Sequence, residues 1–103
     1  MIFHVVTSQN WQKALQQGFY EADSLASEGF IHTSKANQVA GVLERYYPQH
    51  ALLKGPCDLV LLHIDEIKLT APLKFDMATS VNETFPHIYG RLNIDAVVKV
   101  EKL

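Results

Sequence analysis

The chain reads as an α+β fold, a single domain spanning 1–103, with a mixed or antiparallel sheet partly covered by two helices. Three observations predict it. Apolar runs of strand type open the chain at "IFHVV" and return through its second half at "DLVLLHI", "PLKFDMA", "FPHIY" and "DAVVKVEKL". Two intervening stretches, around Trp11 and Val39, instead repeat apolar residues at helical spacing. The resulting order is strand–helix–strand–helix and then strands only, the order of an α+β rather than a doubly wound fold.

Each element has its own justification. In "IFHVV", Ile2, His4 and Val6 share one face. Ser8 or Asn10 is placed to cap a helix carrying Trp11, Ala14 and Leu15, and Gly18 supplies its stop. "FYEADSLASEG" reads as a loop with at most one helical turn, closing on Gly29. "FIHTS" is a short strand, with Phe30, His32 and Ser34 on one side and Ser34 as cap of the next helix. That helix bears the stripe Ala36, Val39, Ala40, Leu43 and Tyr47, and Pro48 ends it. After the loop "QHALLKGPC", the nearly continuous apolar run "DLVLLHI" predicts a central strand buried on both faces. Asp65 and Glu66 begin a turn, and "PLKFDMA" sets Leu73, Phe75 and Met77 inward against Lys74 and Asp76 outward.

Composition bounds the function. With 103 residues, 48% hydrophobic and 19% charged, the chain can bury a core without staples. Its net charge of −2 and scattered basic residues argue against nucleic acid as a partner. A nucleotide-sized small molecule is the expected partner, and the oligomeric state is left open. The sole cysteine, Cys57, can close no disulfide within the chain and reads as a bystander thiol in a reducing compartment. No signal-peptide pattern opens the sequence, and its longest apolar run is far short of the ~20 residues of a membrane span. The expectation is a cytoplasmic protein without membrane contact.

Five histidines carry what chemistry the sequence shows. His50 lies in a polar loop and reads as solvated, and His63 reads as a satisfied core or sheet-edge ring. His4, His32 and His87 each interrupt a short apolar strand and are followed by a hydroxyl residue or a glycine. Burying one imidazole without partners costs roughly 1–3 kcal/mol, so gathering three around one wet cleft is the economical solution. Such a cleft supports acid–base chemistry, with His32 and His87 as catalytic candidates. His4, Thr7, Ser34, Tyr89 and Arg91 are the ligand-binding candidates, Arg91 offering a positive charge to phosphate. A three-histidine zinc hydrolase is one alternative, although no local ligand pair marks a metal site and no metal residue is assigned. A non-catalytic binding or dimerisation module is another. Phosphate-loop and nucleophile-elbow motifs are absent.

The stretches "SLASEGFIHTS", "LVLLHID" and "FPHIYGRLN", with Trp11 and Ala14, resemble a family of small bacterial proteins, domain-of-unknown-function family 952. More distantly, the order of elements is similar to the ADP-ribosyltransferase fold. That similarity implies NAD as ligand or substrate, with no other cofactor. It likens His4 to the residue that holds the ribose, His32 to the middle residue on the nicotinamide wall, and His87 to the residue that completes the site.

Overall fold

The computed structural model describes residues 1–47 and 58–103. In chain order these form β1 (Ile2–Thr7), α1 (Ser8–Gln17), β2 (Phe19–Tyr20), α2 (Asp23–Glu28), β3 (Ile31–His32) and α3 (Val39–Tyr46). Then follow β4 (Leu59–Ile64), β5 (Leu73–Ala78), β6 (Glu83–Ile88), β7 (Leu92–Asn93) and β8 (Val97–Lys102). Short 3-10 turns occupy Ala36–Gln38, Glu66–Lys68 and Ile94–Ala96.

The strands make three antiparallel sheets, ordered β1-β4-β8, β3-β6-β5 and β2-β7, instead of the single sheet expected from the sequence. β4 is central in its sheet and buried along Leu59–Leu62, as its unbroken apolar run requires. Trp11 and Ala14 bury one face of α1, while Leu15 stays 45% exposed. The helix is capped by Thr7, whose Oγ1 accepts from the Asn10 N–H at 3.1 Å, and not by Ser8 or Asn10. Gly18 ends it at φ 92°, a conformation that glycine alone enters freely. The stretch expected to be loop contains β2 and α2, closed by Gly29 as foreseen. Ser34 does not cap α3; its turn begins instead with the Lys35 N–H donating to Gln38 Oε1 at 2.9 Å.

Two cores flank the β1–β4 pair. The larger contains Ile2, Val6, Trp11, Leu62, Ile88 and Leu92, among others. The smaller gathers Val5, Leu59 and Leu61 against Phe3, Val39 and Leu43. On β5 the expected inward set divides: Leu73 packs on the larger core, but Phe75 and Met77 are 52% and 57% exposed. β5 is the outer strand of its sheet, and the core does not extend to its far end. His63 is a satisfied sheet histidine, its Nε2 2.8 Å from Glu101 Oε1 and its ring edge-on to Phe3. His50, Cys57 and Pro48 lie outside the described residues.

Among the described residues, the two larger sheets meet at one bridge. Phe3 and Ser34 exchange both backbone hydrogen bonds at 2.8 Å. In an antiparallel ladder the next such pair would be Val5 with His32. The strands part before reaching it. Thr33 holds the other side of β3, its Oγ1 donating to the Pro86 carbonyl at 2.6 Å.

Core truncation should reflect this layout. Leu62→Ala, at a fully buried position of the central strand, should cost ~2–5 kcal/mol in chemical denaturation. Phe75→Ala on the outer strand should stay within ~1 kcal/mol. Equal losses would contradict the placement of the core.

Candidate functional site

Where β1 and β3 part, a cavity of about 610 Å³ opens. His4, Val5 and Thr7 line it from β1, His32 and Ser34 from the β3 segment, and Phe85 and His87 from β6. Histidines that stand far apart in the chain therefore border the same space. The rings of His32 and His87 lie 5.1 Å apart, edge to face.

His4 does the work of the missing ladder bond. Its Nδ1 lies 2.6 Å from the His32 carbonyl oxygen and its Nε2 2.8 Å from the Tyr20 hydroxyl. A carbonyl only accepts, so the Nδ1 proton is assigned to that bond and the neutral ring accepts from Tyr20 at Nε2. Burial lowers the His4 pKa to about 4, which keeps the ring neutral at physiological pH. Burial likewise pushes the Tyr20 hydroxyl above its ordinary pKa, so it stays a donor. His4 has no free ring nitrogen. It can position groups but not shuttle protons.

His87 is built differently. It is buried, stacked on Phe30 at 4.1 Å with rings 14° from parallel. Its Nδ1 lies 2.8 Å from Asp76 Oδ2, and the Tyr89 hydroxyl donates to the same oxygen. Those two hydrogen bonds, Tyr89's first, hold the Asp76 carboxyl below its ordinary pKa. Tyr89 is raised in turn by its bond to Asp76. His87 Nε2 meets no polar partner among the described residues, yet no buried side-chain polar atom there is left unsatisfied. That nitrogen therefore keeps access to solvent or ligand. His32 is exposed, with Nε2 2.9 Å from Oε2 of Glu28, the last residue of α2.

Other candidates divide. Thr7 and Ser34 line the cavity, Thr7 also capping α1. Tyr89 is not on the lining and serves Asp76 instead. Arg91 is not on it either: its Nε donates to Glu21 Oε2 at 2.9 Å and its guanidinium covers the Phe19 ring at 4.1 Å. The lining cation is Arg45 on α3, which has no ion pair among the described residues. It lies against Gly41, where an added Cβ would stand 3.3 Å from Arg45 Nη1. Asp76, Tyr20 and Arg45 were not singled out in the sequence. A carboxylate expected to face outward, a tyrosine in an expected loop and an arginine beside Tyr46 gave no signal of convergence.

A three-imidazole zinc centre would need a free nitrogen from each ring at one point. His4 offers none, and no group of His, Cys, Asp or Glu among the described residues is arranged to hold a metal.

The His4 environment fixes a pH dependence. Its folded pKa of about 4 lies below the unfolded value of 6.5. Above pH 6.5 neither state binds the proton and the contribution to stability is complete. Between 6.5 and 4 the unfolded chain gains a proton that the folded ring refuses, so stability falls as pH falls. For a half-buried ring the loss should be about 2 kcal/mol, below the full shift at ~1.4 kcal/mol per unit. Denaturation at pH 7 and pH 4.5 should show His4→Asn losing less over this interval than the parent. Equal losses would contradict a neutral His4.

Solved structures similar to this chain include those of CC0527 of Caulobacter crescentus. Its crystal structure is 25% identical with a TM-score of 0.82, covering 99% of this chain and 84% of that one. A double mutant of the same protein gives 24% identity at the same TM-score and coverage. Its solution NMR structure gives 26% and 0.78, over 99% and 83% of the two chains. Among curated proteins there is no match. No helix among the described residues is long and apolar enough to cross a membrane. The family model described as "Protein of unknown function (DUF952)" matches residues 5–100, nearly the whole chain, and this protein belongs to that family.

Proposed function

We propose that the cavity binds a nucleotide, with NAD the first candidate, in an ADP-ribosyltransferase-like arrangement. The observation that carries this reading is that His4, His32 and His87 line one cavity of about 610 Å³. That volume lies within the ~300–1,000 Å³ of small-molecule sites.

The lining matches the parts of a dinucleotide. Arg45, which has no ion pair among the described residues and lies 5.9 Å from the Tyr46 ring centre, offers a positive charge to a pyrophosphate. Ladder alternation turns the N–H and C=O of Phe3 and Val5 away from β4. Those of Phe3 are taken by Ser34, and those of Val5, which have no backbone partner across from them among the described residues, are offered to a ligand's carboxamide. Tyr20, fixed by His4, keeps oxygen lone pairs for a sugar hydroxyl. Phe85 and Tyr46 supply ring faces. His87 is the group suited to take a proton, and exposed His32, steadied by Glu28, lines the cavity beside it.

Addition of NAD or ADP-ribose to labelled protein should move the Val5 amide and the His32 and His87 ring signals in NMR spectra. Arg45→Ala should weaken binding about tenfold or more, the worth of one charge-assisted hydrogen bond. Shifts confined to residues off the cavity, or none at millimolar ligand, would overturn the reading and favour a non-catalytic module.

A further inference from the structure

We propose that Asp76 is a positioning residue that makes His87 the proton acceptor for a hydroxyl-bearing substrate, water or an alcohol, held in the cavity. The inference rests on the nucleotide reading only for the identity of the electrophile.

Geometry carries it. Asp76 stands half-buried on β5, the outer strand of its sheet. One of its oxygens receives two donors, the Tyr89 hydroxyl and His87 Nδ1. An ionised carboxylate only accepts, so the His87 proton must sit on Nδ1. The lone pair of the neutral ring is then on Nε2, the nitrogen that meets no polar partner among the described residues. Stacking on Phe30 fixes the ring plane. Tyr89 anchors the carboxylate, and the Lys74 ammonium, 5.1 Å from the Tyr89 ring centre, adds positive charge beside it. The same logic governs any base oriented by a third group: the carboxylate selects the tautomer and then stabilises the imidazolium.

In the step this arrangement allows, a substrate O–H bond breaks and its proton passes to His87 Nε2. The imidazolium pairs with Asp76, and the oxygen's electron pair forms the new bond. On the nucleotide reading the electrophile is the ribose carbon joined to nicotinamide. The carbon–nitrogen bond breaks with its electrons going to nicotinamide, which departs neutral. No oxidant or metal enters the balance.

The test needs no ligand, so it stands or falls separately from nucleotide binding. Long-range proton–nitrogen NMR of the free protein, at a pH where the His87 ring is neutral, reads which nitrogen is protonated. His87 should carry its proton on Nδ1, and Asp76→Ala should shift it mainly to Nε2, the tautomer an unconstrained histidine prefers. Nε2 protonation in the parent protein would overturn the proposal, a result that does not depend on the variant folding. An unchanged tautomer in a folded Asp76→Ala protein would overturn it as well.

Discussion

The bridge between Phe3 and Ser34 is the constraint on which the rest of the molecule depends. Two backbone hydrogen bonds at 2.8 Å tie the β1-β4-β8 sheet to the β3-β6-β5 sheet. Had the ladder continued, Val5 would pair with His32 and the space between the sheets would close. The strands separate instead, and the ring of His4 spans the gap to the His32 carbonyl. A side chain in place of a backbone bond keeps the sheets registered at one end and open at the other. The cavity is the consequence, and a half-buried, neutral His4 is the cost of holding it.

The three histidines consequently perform different tasks despite similar sequence settings. His4 is a strut with both nitrogens engaged. His87 is a ring held by one nitrogen, the other having no polar partner among the described residues. His32 is exposed and tethered to Glu28 through a helix-to-strand contact. Partners across strands, not neighbours in sequence, create the differences. The His32 carbonyl and the Tyr20 hydroxyl engage the two nitrogens of His4, and Asp76 engages Nδ1 of His87.

Much of the scaffold was legible because local chemistry dictates it. Trp11 and Ala14 at helical spacing, Gly18 as a left-handed stop and the unbroken apolar run of β4 each behave as read. What depends on tertiary context was not. Period-two alternation on β5 groups Phe75 with Met77 but cannot say that the core ends at Leu73. Asp76 therefore looked like a solvated charge, although its partner stands 11 residues away on the adjoining strand. Arg91 and Arg45 are indistinguishable as isolated arginines. Pairing with Glu21 removes the first from the cavity, while the second borders it.

The central claim is that the opening beside the Phe3–Ser34 bridge is a ligand site and not merely a packing gap. A crystal structure of the protein grown with ADP-ribose tests it most directly. The account predicts ligand density inside the opening, with a phosphate at Arg45 and a sugar hydroxyl within hydrogen-bond distance of His87 Nε2. Well-diffracting crystals with the opening empty and the ligand bound on another surface would contradict it.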